Sequence, residues 1–168
     1  YEVHLDLETA KFVKWVDIVP EFSFDITLPY FSLIVPTIDT ARYGYLFKTG
    51  FDAMYSVFLT GLTGTGKTVI IQRQLNQLSL DKEDGGENIQ PIVINFSAQT
   101  SSLQTQRAIE AKIEKKRKGV YGGPAGKKVV IFVDDINMPI KEEYGAQPPI
   151  ELLRQIADYS LFFDRDKV

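Results

Sequence analysis

The chain has 168 residues, 44% hydrophobic and 24% charged, which is enough for one substantial core and ordinary for a soluble globular domain. A net charge of −3 and a pI near 5.2 give no general attraction for nucleic acid. The lack of cysteine excludes disulfides and thiolate metal sites and fits a reducing compartment, while a lone histidine, His4, excludes a histidine-based triad or a His-rich metal centre.

The chain opens on Tyr1-Glu2-Val3-His4, which has no signal-peptide pattern, and a first residue other than Met points to a piece of something longer. No stretch approaches the roughly 18 uninterrupted apolar residues of a membrane-spanning helix. Lys11-Phe12-Val13-Lys14-Trp15-Val16 fits either a short amphipathic helix or an extended linker. From 20 to 36 three prolines alternate with aromatic and polar residues. Proline removes a ladder donor and holds the residue before it extended, so an extended segment against a core is expected there. Thr37 or Asp39 can then cap a helix whose Ile38, Ala41, Tyr45 and Leu46 fall near one face through about Phe47, with Gly44 weakening it.

Tyr55-Ser56-Val57-Phe58-Leu59-Thr60 reads as a buried strand, and Val69-Ile70-Ile71-Gln72-Arg73-Gln74-Leu75 as a helix. Between them stands Gly61-Leu62-Thr63-Gly64-Thr65-Gly66-Lys67-Thr68, which gives the strand, glycine loop and helix of a P-loop. Glycine lets successive N–H groups turn inward around phosphate oxygens, and the dipole of the following helix favours an anion. Lys67 would reach the β- and γ-phosphates, and the Thr68 hydroxyl would ligate Mg²⁺.

Residues 79–90 are polar around Gly85-Gly86 and read as a surface loop. Pro91-Ile92-Val93-Ile94-Asn95-Phe96 reads as a second buried strand, too uniformly apolar for one wet face. Ser97-Ala98-Gln99-Thr100-Ser101-Ser102 supplies caps for a helix from about Leu103 to Arg117. The run Lys115-Lys116-Arg117-Lys118-Gly119 then complements its macrodipole and closes it with glycine, although a nucleic-acid or microtubule surface is the other reading. Val120-Tyr121-Gly122-Gly123-Pro124-Ala125-Gly126-Lys127 has the turn residues of a hairpin or projecting loop.

Lys128-Val129-Val130-Ile131-Phe132-Val133 reads as a third buried strand ending at Asp134-Asp135, a Walker B pattern over residues 129–135. Strands separated by helical crossovers this long pair in parallel, giving an α/β sandwich with ligand sites at the carboxyl ends of its strands. Asn137-Met138-Pro139 breaks the strand, and Tyr144-Gly145-Ala146-Gln147-Pro148-Pro149 forms a loop. Pro149 suits the first turn of a helix with Ile150, Leu153 and Ile156 on one face. In a P-loop ATPase the first acid of the pair orients Mg²⁺ through water, and a following glutamate polarises the attacking water. Asp134 suits the first role. Asp135 is one methylene short for the second, and a misplacement of about 1 Å can cost on the order of a hundredfold in rate, so sound binding and slow hydrolysis are expected.

With these residues placed, the chain resembles the third AAA+ module of an axonemal dynein heavy chain, from about Trp15 to Phe163. The resemblance rests on Val35-Pro36-Thr37-Ile38-Asp39-Thr40, the 61–68 loop, Ile94-Asn95-Phe96-Ser97-Ala98-Gln99-Thr100 and Lys118-Gly119-Val120-Tyr121-Gly122. It rests also on Phe132-Val133-Asp134-Asp135-Ile136-Asn137-Met138-Pro139 and on residues 144–155. It implies an α/β P-loop NTPase fold, the AAA+ large subdomain, with a parallel sheet flanked by helices and truncated after the Walker B strand and following helix. Residues 1–36 would be an N-terminal linker or extended segment leading into the module, and 37–168 a partial large subdomain. The sensor strand, arginine finger and lid of such modules would lie beyond Val168.

By this resemblance Val35, Pro36 and Thr37 border the adenine of ATP or ADP. Thr63, Gly64, Thr65, Gly66, Lys67, Thr68 and Val69 wrap its phosphates, and Thr68 and Asp134 serve Mg²⁺, the latter through water. Lys67 and Asp135 are the catalytic candidates, Asp135 as a weak base. The implied function is a nucleotide-binding regulatory module in ATP-driven, minus-end-directed motility of cilia and flagella, placed in the cytoplasmic cytoskeleton at the axoneme. Neighbouring AAA+ modules of the same heavy chain are the implied partners. Dynein intermediate and light chains and microtubules would be reached through other parts of the heavy chain, and neither nucleic acid nor membrane is an expected partner. A hydrolytically active ATPase of another AAA+ type and a nucleotide-free structural interaction module are the competing readings.

Overall fold

The computed structural model describes residues 2–6, 8–24, 26, 33–80 and 88–164. They fall into two compact units, Tyr1–Gln74 and Leu75–Val168, with the boundary inside a helix. The extended segment expected between the prolines lies partly outside the described residues, and residues 19–24 and 33–37 have no regular structure. Gly85-Gly86 and most of the expected 79–90 loop also lie outside them, as do the last four residues.

In the first unit Val3–Asp6 (β1) and Lys11–Lys14 (β2) form an antiparallel hairpin with Val3 opposite Lys14. The Asp6 carboxylate builds its turn by accepting from the Thr9 hydroxyl at 2.6 Å and the Glu8 N–H at 3.0 Å, and these bonds hold its pKa below the usual carboxylate value. The 11–16 stretch is thus a strand, followed by a 3-10 turn at Trp15–Ile18. Trp15 sets that arrangement. Its buried ring stacks on His4 at 4.5 Å and meets Tyr45 edge-on at 5.5 Å, which ties the hairpin to the next helix.

That helix, α1, spans Ile38–Asp52. Thr37 caps it: its hydroxyl accepts from the Thr40 N–H at 3.2 Å, and the Thr40 hydroxyl accepts from the Thr37 N–H at 2.8 Å. Gly44 and Phe47 are its buried positions, while Leu46, expected on that face, is 52% exposed. A Cβ at Gly44 would come 2.6 Å from Gln74 Nε2, so the amide of Gln74 fills the space a side chain would need. The helix α2 spans Lys67–Leu80, longer at both ends than the periodicity suggested.

One expectation fails between α1 and α2. Residues 55–60 form no strand; Tyr55 is 77% exposed and Phe58 72%. Apolar content favours a strand only where a neighbour takes its N–H and C=O groups, and among the described residues this segment has no ladder partner.

The second unit is built on Ile89–Asn95 (β3) and Lys128–Asp134 (β6), paired in parallel from Ile89 opposite Lys128 to Asn95 opposite Asp134. This is the expected parallel arrangement. The strand β3 nevertheless has a wet face: Ile92 and Ile94 are buried and Val93 between them is half exposed. The core cluster joins Ile92, Ile94 and Phe96 to Ile109 of α3 (Ser102–Glu110) and Leu152 of α4 (Pro148–Tyr159). Gln106 is fully buried and satisfied, donating to Glu110 Oε1 at 3.1 Å and Asp164 Oδ1 at 3.0 Å.

The helix expected through Arg117 ends at Glu110. Glu114–Arg117 is instead a strand, β4, paired with Val120–Gly122 (β5) around the turn Lys118-Gly119. Gly119 has φ 71°, and a two-residue turn with glycine in the left-handed region matches the twist of a hairpin, a local preference stronger here than the helix propensity of the lysines. Proline opens α4 as expected, and Gly123 to Lys127 form a separate turn.

Leu152→Ala removes a side chain with no exposure from the centre of the second unit. It is expected to destabilise that unit by about 2–5 kcal/mol, read as a fall in the urea midpoint. Leu161→Ala, at a position 49% exposed, is expected to change it by less than about 0.5 kcal/mol.

Candidate functional site

The 61–68 loop lies in the first unit and leads into α2. Gly64 and Gly66 have φ 80° and 81°, and a Cβ added at either would meet no atom within 4 Å. Glycine is needed at these positions for backbone conformation, since space is not limiting. The Gly66 carbonyl accepts the Ile70 N–H at 3.0 Å, so α2 is hydrogen-bonded from its first turn and its earlier N–H groups are those a helix start leaves for an anion.

Lys67 is folded back over this loop. Its ammonium donates to the Leu62 carbonyl at 2.6 Å and the Gly61 carbonyl at 3.0 Å, and lies 3.4 Å from the Thr65 hydroxyl. That hydroxyl in turn donates to the Leu62 carbonyl at 2.9 Å. The structure therefore brings Gly61, Leu62, Thr65 and Lys67 into one network, with residues 61–66 exposed and Thr68 half-buried beside them. An open loop with a lysine ammonium over it, left-handed glycines and a helix start fits a polyphosphate in its donor set. Of the other first-unit candidates, Val35 is 59% exposed, Pro36 is half-buried and Thr37 is occupied in capping α1.

The acid pair lies in the second unit at the carboxyl end of β6. Its residues differ sharply in conformation. Asp134 closes the ladder opposite Asn95, and its carbonyl accepts the Phe96 N–H at 3.1 Å. Asp135 is exposed and left-handed at φ 52°, and its N–H donates to Asp134 Oδ1 at 3.0 Å. The backbone of Asp135 thus orients the carboxylate of Asp134. Among the described residues no three His, Cys, Asp or Glu side chains converge on a common point.

Sequence reasoning missed two residues here. Asn95 is the direct register partner of Asp134, and only the pairing register could have placed it there. Gln147 donates to the Pro139 carbonyl at 2.6 Å and the Asn137 carbonyl at 3.4 Å, fastening the turn after the acid pair to the start of α4. A lone amide among Gly145, Ala146, Pro148 and Pro149 was the available signal.

The sequence profile of the P-loop containing dynein motor region matches residues 22–168. The chain is 47% identical to dynein axonemal heavy chain 6 of Homo sapiens over 168 residues, which is 100% of this chain and 4% of that protein. It is 50% identical to dynein axonemal heavy chain 3 of Mus musculus over 80% of this chain and 3% of the relative. It is 38% identical to dynein axonemal heavy chain 2 of Homo sapiens over 99% of this chain and 4% of the relative. The chain therefore spans about one twenty-fifth of the length of these curated relatives.

Gly66→Ala places a Cβ at φ 81°, a conformation that costs an L-residue roughly 1–2 kcal/mol. The loop is expected to relax by rotating its peptides away from the cradle, lowering nucleotide affinity about tenfold or more, as titrated with a fluorescent ADP analogue. Because the added methyl meets open space, the thermal unfolding midpoint should fall only by the several degrees that this backbone strain is worth.

Proposed function

The chain belongs to the family of P-loop containing dynein motor regions, and we propose that it is the third AAA+ module of an axonemal heavy chain, binding ATP or ADP with Mg²⁺ to regulate the motor. In this reading residues 1–36 lead into the module and 37–168 supply its nucleotide-binding large subdomain. Val35, Pro36 and Thr37 border the adenine, residues 63–69 wrap the phosphates, and Thr68 and Asp134 hold Mg²⁺, Asp134 through water. The observation that carries nucleotide binding is the 61–67 loop, with two left-handed glycines and the Lys67 ammonium over it.

When bound, ATP supplies the phosphoanhydride whose cleavage releases energy. The rest is done by residues of this chain. Lys67 would exchange the Gly61 and Leu62 carbonyls for phosphate oxygens, and the first N–H groups of α2 would face the same charge. Asp134, with its carboxylate oriented by the Asp135 N–H, would direct a water of the Mg²⁺ shell. Asp135 is the weak member. At φ 52° aspartate and asparagine are tolerated better than longer side chains, and its carboxylate is exposed. A backbone turned to serve Asp134 with a short side chain supports slow hydrolysis, and slow hydrolysis suits a regulatory site. Neighbouring AAA+ modules are the direct partners in this reading. Intermediate and light chains and microtubules engage elsewhere on the heavy chain, and the motor works at the axoneme.

Two measurements on the intact heavy chain test this. Lys67→Ala is expected to strip nucleotide from this site and alter microtubule gliding while most basal ATPase remains; loss of nearly all turnover would make this a principal catalytic site instead. Asp135→Ala is expected to change single-turnover hydrolysis at this site by less than about threefold, because removing a working general base typically costs about 10²–10⁴ in rate. A loss in that larger range would restore Asp135 as the base.

A further inference from the structure

The basic run 115–118 loses its helical explanation in the fold. A helix ending there would set its lysines against the carbonyl end of the macrodipole. The helix α3 stops at Glu110, however, and Lys115, Lys116 and Arg117 lie on β4 with Lys118 in the turn. All four residues of β4 are exposed, and so are Lys112 and Lys118. Seven of the nineteen Lys and Arg residues of the chain fall between 112 and 128, against one carboxylate, Glu114. Glu114 is taken by Lys116 at 3.0 Å. Among the described residues Lys115, Arg117 and Lys118 make no ion pair. Beside them Tyr121 is 50% exposed and Val120 39%.

The ladder of this hairpin is short and irregular, with a register shift between Lys115 and Arg117. Among the described residues β4 pairs only with β5, so its other edge carries no ladder. A two-stranded hairpin is marginal in water on its own, and like charges along one strand repel. Edge lysines do protect strands from unwanted pairing, but that role calls for a charge or two and gains nothing from an exposed tyrosine. Gathering this much positive charge in a chain of net charge −3 also makes the hairpin the opposite in sign to the rest of the molecule.

We propose that the hairpin at residues 112–122 is a docking surface for an acidic polypeptide segment. An extended, carboxylate-rich peptide can lie along the free edge of β4, with its carboxylates meeting Lys115, Arg117 and Lys118 and its apolar side chains covering Val120 and Tyr121. Charge complementarity favours this occupant over nucleic acid, because the acidic remainder of the chain repels a long polyphosphate and a short run of carboxylates avoids it.

The test uses the intact heavy chain and a labelled ten-residue poly-glutamate peptide as the probe. A benzophenone photo-cross-linker in place of Tyr121 is expected to capture the peptide, with capture falling as salt rises. The triple reversal Lys115→Glu, Arg117→Glu and Lys118→Glu is expected to weaken the affinity about tenfold or more. The conservative set Lys115→Arg, Arg117→Lys and Lys118→Arg should restore it. Nucleotide content at the Lys67 site serves as the folding check and should be equal in all variants. Three results overturn the proposal: no cross-link at 121, equal affinity in the reversed variant, or displacement of the peptide by a ten-nucleotide oligothymidine more readily than by unlabelled poly-glutamate. The last would make the hairpin a nucleic-acid surface.

Discussion

The parallel ladder of β3 and β6 is the constraint on which the second unit depends. Its seven-residue register does more than hold two strands together, because it decides what stands at their carboxyl ends. Asn95 ends opposite Asp134, and the chain leaves β3 through the Phe96 N–H bonded to the Asp134 carbonyl at 3.1 Å. The segment beyond β6 is fastened to the segment beyond β3 where Ile140 donates to the Ala98 carbonyl at 3.2 Å. A slip of one residue would turn Ile92 and Ile94 away from Ile109 and Leu152 and carry Asp134 off the end of its strand. Core packing and acid placement are thus secured by the same register, which makes a mutation in either one felt in both.

Local chemistry was the part most legible in the sequence. Caps, glycines and prolines act within a few residues: Thr37, one of the two caps expected, caps α1, Gly64 and Gly66 take the left-handed conformation that suits glycine, and proline opens α4. The strand ending at Asp134 was legible for a related reason, since its apolar run and its terminal acid are contiguous. The family was legible because several long strings agree, and the match to residues 22–168 bears that out. What was not legible depends on partners distant in sequence. Residues 55–60 have the composition of a central strand and no ladder among the described residues, so composition alone misled. Lys115 to Lys118 suit a helix end by charge, yet Gly119 at φ 71° makes them the arm of a hairpin, an outcome decided by one residue beyond the run. Asn95 was invisible because its place opposite Asp134 exists only once the strands have paired.

The two acids at the end of β6 show how neighbouring residues of the same type can be given different work by the backbone. Asp134 keeps strand geometry and half-buried surroundings, while Asp135 turns left-handed into solvent. The turn points an N–H at the carboxylate before it, a fixed dipole that holds it in one orientation. The cost is that the second carboxylate points where the turn sends it. A longer acid would gain reach and lose ease in that conformation.

The hydrogen bonds of Lys67 carry a consequence for selectivity among anions. An ammonium already satisfied by two carbonyls and near a hydroxyl does not wait as a bare charge. Any incoming anion must outcompete neutral oxygen acceptors already in place, and only the difference between the two sets counts toward binding. A single weak anion offers the lysine little that the loop does not already provide. In the reading proposed above, a chain of phosphates would offer charge to the helix start and the glycine amides as well as to the lysine, so the fixed cost of freeing the lysine would be met more easily the more phosphates are presented.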